Sequence, residues 1–389
     1  MKWETVRLAD CCSSIADGDH QPPPKAEEGV PFVTISNINT SHQFDFSNTM
    51  FVPQEYYDKL DQKRKAQVGD VLYSVVGSFG IPVLIKENTP FVFQRHIAIL
   101  RPNERILPAF LYYTMLSQDF YAKADAAAIG AAQRTVSLSA LRNFEIALPS
   151  LDKQKAIVSI LSAYDDLIES NQKQIKLLEE AAQRLYKEWF IDLCFPGYEN
   201  TPIRYGIPEG WEKTRLVDLA DVQYGFAFDG SLFNSEGNGM PIIRIRNIPV
   251  GVTADCTTET ADKQYIIKNG DIVVGMDGEF HINSWGGDDA YLVQRTCRIK
   301  PHNSKMQGWM LWAIYEPIKF FEKTVVGATV AHLGKKHIDT IELLTAPERY
   351  YEPFQAFFGK RQTLINQNRK LAEARDRLLP KLMSGEIEV

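Results

Sequence analysis

The side chains in this sequence that could do chemistry are readers of hydrogen-bond patterns. Arg and Lys offer donors to a guanine edge and Asn or Gln match an adenine edge, provided they sit in loops able to enter a groove. Two such sets occur, one in each half of the chain. The first holds Asp19, His20 and Lys25 in a Gly- and Pro-rich loop, Ser36 and Asn37 at the close of a strand, Arg95 and His96 after Gln94, and Gln133, Arg134 and Ser137 beyond Gly130. The second holds Arg244, Arg246 and Asn247 closing the equivalent strand, Glu279, His281 and Asn283 in a Gly-flanked loop, then Arg295, His332, Lys335 and Lys336. Plainer readings compete with these. Arg244 and Arg246 share one strand face by the period of two, so a solvated stripe is the alternative. Gln94-Arg95 recurs as Gln294-Arg295, and residues common to both copies suit fold or phosphate contact better than base choice. Loop residues that differ between the copies are the stronger candidates for specificity.

Bond-breaking chemistry has no comparable support. An autonomous methyltransferase needs a glycine motif between strand and helix and an Asn- or Asp-Pro-Pro-aromatic segment; the chain offers only Gly237-Asn238-Gly239 running into a strand and Gln21-Pro22-Pro23-Pro24. A nuclease needs clustered carboxylates and a lysine, but Asp61-Gln62-Lys63 lies in a polar segment with no preceding strand acid. A Walker A loop is absent. His20 and His332 have no second ligand three or four residues on, so no metal site is expected. Cys11, Cys12, Cys194, Cys256 and Cys297 lack C-x-x-C spacing and read as reduced thiols. No catalytic residue emerges.

The elements that must hold these sets are written twice. WETVRLAD from Trp3 returns as WEKTRLVDLAD from Trp211, GVPFVTISNI from Gly29 as GMPIIRIRNI from Gly239, VGDVLYSVVGSFG from Val68 as NGDIVVGMDGEF from Asn269, and FQRHIAILRP from Phe93 as VQRTCRIKP from Val293. β-branched runs such as Pro31 to Ile38 and Asp271 to Gly275 predict short strands, and Ala109 to Tyr121 and Trp309 to Phe321 predict one or two helices after them. The chain has 389 residues, 44% hydrophobic and 24% charged, which suits two or three globular domains. A net charge of −6 argues against non-specific coating of nucleic acid, though not against a locally basic face. With no long apolar run and no apolar stretch behind Lys2, a cytoplasmic location is expected.

A long helix follows each repeat. Ile157, Leu161, Tyr164, Ile168, Asn171, Ile175, Leu178, Ala182, Leu185 and Trp189 alternate at steps of four and three, a sustained heptad seam. Phe358, Arg361, Ile365, Asn368, Ala372, Arg375, Leu379 and Leu382 take the same places further on, with Ile168 matched by Ile365 and Asn171 by Asn368. A buried Asn weakens such a seam but fixes register and partner, so Asn171 and Asn368 are candidate register residues; a solvated edge is the plainer reading. Phe357, Leu364, Leu371 and Leu378 widen the second helix's apolar face enough for more than one partner helix. The organisation expected is a repeat at 1–149, a helix at 150–192, a linker at 193–208, a repeat at 209–347 and a helix with C-terminal tail at 348–389. The fold class is α+β: two similar globular α/β domains separated by two long antiparallel coiled-coil helices, pseudo-twofold symmetric. A helix of about 35 residues is roughly 50 Å long. Such a calliper suits DNA half-sites about one turn apart, or multiples of it.

IADGDHQPPPK before GVPFVTISNI, GDIVVGMDGEF followed by QRTCRI, the pattern Pro149, Leu151, Gln154, Ile157 and Val158, and the ending LLPKLMSGEI together resemble the specificity subunit of type I restriction-modification systems. The resemblance spans nearly the whole chain. It implies a non-catalytic subunit with two target-recognition domains, each reading half of a split, asymmetric double-stranded DNA site. It also implies helices that set the spacing and dock two modification subunits, adenine-N6 methyltransferases. By the same resemblance this chain binds no cofactor, S-adenosylmethionine belongs to the modification subunit, and ATP and Mg belong to a restriction subunit reached through the complex. The second helix departs from the pattern: APERYYEPFQAF lacks the corresponding Leu and Gln, which leaves its start and docking role open. Heptads alone fit a coiled-coil scaffold that binds protein and not DNA, and a silent alternate specificity subunit would look the same.

Overall fold

The computed structural model describes residues 3–39, 42–131, 133–324 and 331–389. The chain forms two compact units, Met1–Glu169 with Leu371–Val389, and Ser170–Lys370. In the first, the order is β1 (Glu4–Arg7), β2 (Cys12–Asp17), β3 (Val30–Val33), β4 (Met50–Val52), α1 (Gln54–Lys59), β5 (Val71–Ser74), β6 (Pro82–Leu84), β7 (Val92–Phe93), β8 (Ile97–Pro102), α2 (Pro108–Leu116), α3 (Gln118–Ala127), α4 (Leu138–Asn143), β9 (Glu145–Leu148) and the beginning of α5 (Leu151–Tyr186). An antiparallel sheet runs β2-β8-β5-β6, a smaller sheet runs β4-β3-β7 with β3 and β7 parallel, and β1 pairs with β9.

The second unit starts inside α5, which passes into a π-helical turn over Lys187–Ile191. Next come β10 (Ile203–Arg204), β11 (Ile207–Pro208), β12 (Glu212–Arg215), α6 (Leu216–Leu219), β13 (Ala220–Tyr224), β14 (Phe233–Asn234), β15 (Met240–Ile243), β16 (Cys256–Thr257), β17 (Ile266–Ile267), β18 (Ile272–Gly275), β19 (Ile282–Ser284), β20 (Ala290–Leu292) and β21 (Thr296–Pro301). The unit closes with α7 (Gln307–Ala313), α8 (Tyr315–Thr324), α9 (Lys335–Ile338), β22 (Glu342–Thr345) and α10 (Glu352–Ser384), whose last turns belong to the first unit. Its sheets run β13-β21-β18-β19 and β14-β16-β15-β20-β17, with β15 and β20 parallel, and β12 pairs with β22. Strand for strand this is the plan of the first unit, with the hairpin β10–β11 and strands β14 and β17 added.

Burial explains the uninterrupted apolar runs in the central strands. Val71 and Tyr73 of β5 face a core with Leu100, Phe110 and Phe120, while Leu72 faces another with Val33, Val83 and Phe93. In β18, Ile272 and Val274 pack with Trp309 and Ile314, and Val273 with Ile243 and Trp285. A strand covered on both faces needs no polar alternation. The recurring Gly18 and Gly225 mark a close crossing: a Cβ there would lie 2.2 Å from Phe93 O and 2.1 Å from Val293 O. Only glycine fits so near another backbone.

Both long helices enter these cores. Ile157 and Leu161 of α5 and Leu379 and Leu382 of α10 line the first. In the second unit Asn171 Nδ2 donates to Asn368 Oδ1 at 2.8 Å and Arg361 Nε to Glu179 Oε1 at 2.7 Å, so the segments run antiparallel. The second helix starts at Glu352, and a glutamine in its first turn does what Gln154 does in α5. Gln154 Oε1 accepts from Leu107 N at 2.8 Å, and Gln355 Oε1 accepts from Gly308 N at 3.1 Å.

The expected strand ends need correction. Strands β3 and β15 end at Val33 and Ile243, and 3-10 turns over Ile35–Asn37 and Ile245–Asn247 follow. Ser36, Asn37, Arg244, Arg246 and Asn247 therefore do not close strands, and Arg244 and Arg246 do not share a strand face. The cause is local: Asn37 Oδ1 accepts from Thr34 N at 2.9 Å and Asn247 Oδ1 from Arg244 N at 2.8 Å, a side-chain bond that competes with the ladder. The helical run from Ala109 agrees with the sequence reading of one or two helices: it is two, because Ser117 Oγ accepts from Phe120 N at 3.3 Å and caps α3.

Candidate nucleic-acid interface

Several candidate side chains meet around the loop after β5, and again after β18. In the first unit Val75 N donates to His96 O at 2.8 Å on one side of that loop; on the other, Gly77 N donates to Arg134 O and Val136 N to Val75 O, both at 2.9 Å. In the second, Met276 N donates to Arg295 O at 2.8 Å, Gly278 N to Ala331 O at 3.0 Å and Leu333 N to Met276 O at 2.8 Å. Gly77 and Gly278 both take φ +69°, the left-handed conformation that the shared turn requires. One backbone frame thus recurs beneath different side chains.

On the first frame Arg134 Nη1 donates to Asp125 Oδ1 at 2.6 Å, and its guanidinium lies 5.4 Å from the ring centre of Phe79, itself stacked on Tyr121. Arg95 and Gln133 are exposed. His96 is half-buried, and burial with neighbouring Arg95 holds its imidazole below the ordinary value, so at neutral pH it offers one donor and one acceptor. Ser137 caps α4 by accepting from Ala140 N at 3.1 Å.

On the second frame His332 Nδ1 lies 2.5 Å from Asp277 Oδ1, and Arg295 Nε 3.4 Å from Asp277 Oδ2. Glu279 is 3.6 Å from His281 Nδ1 and 3.8 Å from Lys319 Nζ. Burial raises the Glu322 carboxyl, but hydrogen bonds from Lys319 and Phe280 N outweigh it and hold the group below its usual value. Lys335 and Lys336 lie exposed on α9, outside any ion pair seen among the described residues.

The remaining candidates sit elsewhere. Asp19 is buried, accepts from Tyr56 Oη and faces Arg64 Nη1 at 3.9 Å. His20 is exposed beside Asp17 at 2.8 Å, and Lys25 and Ser36 are exposed. Asn37 and Asn247 fold their turns. Asn283 is not in a loop but in β19, paired with Val273; it donates to Ile248 O and Pro249 O and accepts from Arg361 Nη2 at 2.7 Å, which ties the strand to the long helix. Arg244 lies over Phe233 at 5.5 Å, and Arg246 is held by Asp255. Sequence reasoning missed the groups that fix these cations, Asp125, Phe79, Asp255 and Asp277, because each reaches its partner through a turn or from another segment. Among the described residues no three His, Cys, Asp or Glu side chains gather as metal ligands, and no helix is long and apolar enough to cross a membrane.

Comparison with known proteins follows the same lines. A family model described as type I restriction modification DNA specificity domain matches residues 1–180 and again 208–347. The chain is 26% identical to the type I restriction enzyme MjaIX specificity subunit of Methanocaldococcus jannaschii, across 100% of this chain and 94% of that one. It is 23% identical to the type I restriction enzyme HindI specificity subunit of Haemophilus influenzae, across 90% and 94%. The crystal structure of a type I restriction-modification system S subunit from M. genitalium shares the fold, with a TM-score of 0.55 at 16% identity, covering 98% of this chain and 96% of that one.

Proposed function

The chain belongs to the type I restriction-modification DNA specificity family, and from that premise we propose that it reads a bipartite, asymmetric DNA site, one half with each repeat. The observation that carries this is the recurring frame around the loops at Val75–Gly77 and Met276–Gly278, whose backbone bonds repeat while its side chains differ. A shared frame with different donors suits two domains reading different bases. Arg95, His96, Gln133 and Arg134 serve the first half-site, and Arg295, His332, Lys335, Lys336, Glu279 and His281 the second. Asp19, Asn37, Asn247 and Asn283 support the fold around them.

The chain itself is non-catalytic and works in the cytoplasm. Its two long helices set the half-site spacing and dock two modification subunits, with Asn171 and Asn368 fixing their register. Those subunits supply S-adenosylmethionine and methylate adenine, and restriction subunits add ATP- and Mg-dependent cleavage. Family membership favours this over a scaffold that binds only protein. Binding of the co-expressed complex to duplex DNA, measured across a salt series, tests DNA reading directly. Phosphate neutralisation gives a steep negative slope of log K against log salt, and a flat slope would contradict it.

A further inference from the structure

Resting on the reading that the second unit contacts half of the site, we propose that Arg246 reads a guanine in that half-site, with Asp255 holding its guanidinium in place. Arg246 Nε donates to Asp255 Oδ2 at 3.2 Å, and Nη2 donates to Oδ1 at 2.7 Å and Oδ2 at 2.6 Å. The carboxylate therefore occupies the Nε–Nη2 edge. The terminal edge, Nη1 with the second hydrogen of Nη2, is left as a two-pronged donor, the shape that matches guanine O6 and N7. The arginine side chain is 61% exposed and the carboxylate 19%, so the fork points outward from a fixed base.

That base is rigid. Asp255 O accepts from Ile242 N at 2.9 Å, Asp255 N donates to Thr253 Oγ1 at 2.9 Å, and Asn247 Nδ2 reaches Asp255 Oδ2 at 3.5 Å. A fork already oriented loses little freedom on binding. Charge decides between base and phosphate. Beside its carboxylate the guanidinium contributes little net charge, which weakens attraction to a phosphate while leaving its directional donors for a neutral base edge.

The other copy supports specificity over fold. Ser36 stands at the same place in the first unit's turn, immediately before the folding Asn37, and bonds Thr34 Oγ1 at 2.7 Å. An acidic residue lies by that turn too, since Asn37 Nδ2 donates to Asp45 O at 3.5 Å. The turn recurs and the arginine does not.

The test uses the complex of this chain with its modification subunits in a methylation-free host, mapping methylated adenines for the wild type, Arg246→Lys and Arg246→Ala. The expected result is a guanine at one fixed position of the half-site assigned to the second repeat. Both variants relax that position and leave the first half-site unchanged, which also reports intact folding. Duplexes carrying 7-deazaguanine there, which lack N7, bind the wild type more weakly, and loss of the whole contact costs about 5- to 150-fold. Arg246→Ala is insensitive to that replacement. An unchanged motif in Arg246→Ala overturns the assignment, as does a loss uniform across sequences that Arg246→Lys restores, the mark of a phosphate contact. Absence of any bipartite motif from the wild-type complex would instead overturn the DNA-reading role and this assignment with it.

Discussion

Arg134 illustrates what a single residue contributes and how it is prepared. Asp125 takes both of its terminal nitrogens, Nη1 through Oδ1 and Nη2 through the backbone carbonyl, and Phe79 lies under its plane, so a long side chain that would otherwise sample many rotamers is held in one. Arg134→Ala is expected to weaken binding to cognate DNA by about 1–3 kcal/mol, with the loss concentrated on the first half-site. Titration at matched salt checks this, and unchanged affinity would remove the residue from the interface. The type of this residue was legible in the sequence, as was that of Arg246. Their partners were not: each carboxylate stands nine positions from its arginine, a spacing that no helical or strand periodicity links. The strand reading of Ser36–Asn37 and Arg244–Asn247 failed for a related reason. An Asn side chain bonding the backbone three residues before it turns the chain where β-branched neighbours would have extended it.

At the scale of elements, the heptad seam was the most legible feature, since the period of 3.5 and the matched asparagines stand in the sequence itself. The structure adds that Asn171, buried to 8% exposure, meets Asn368. Replacing Asn171 alone removes that bond from a largely buried seam, whereas replacing both partners with apolar residues of similar shape comes near to neutral. Asn171→Leu is therefore expected to cost about 0.5–1.5 kcal/mol, and Asn171→Leu with Asn368→Leu to recover most of it. Denaturant unfolding of the complexes at equal concentration measures both. A double variant no more stable than the single would show that the pair is not coupled as the geometry indicates. The start of the second long helix was not legible, because the glutamine that caps its contact lies in APERYYEPFQAF without the pattern of the first copy. Gln355 nevertheless accepts from Gly308 N as Gln154 does from Leu107 N. Burial selects the hydrogen bond and tolerates a shifted motif.

At the scale of the molecule, two units share one sheet plan and one loop frame and differ in the donors mounted on it. A chain with a net charge of −6 can thus present directional donor forks, since each arginine is paired with a carboxylate that fixes it. Duplication was readable from four colinear blocks of sequence; the frame, built from backbone bonds between distant segments, was not. Each repeat is proposed to read its own half of one DNA site. Mapping N6-methyladenine by single-molecule sequencing, after co-expression with the modification subunits in a methylation-free host, tests it most directly. The expected result is one split, asymmetric motif with a methylated adenine on each strand, one of whose halves changes when residues 209–347 are exchanged for the matching repeat of a relative. A co-purified, cofactor-bound complex that methylates nothing, or a motif whose two halves both change on that exchange, would contradict it.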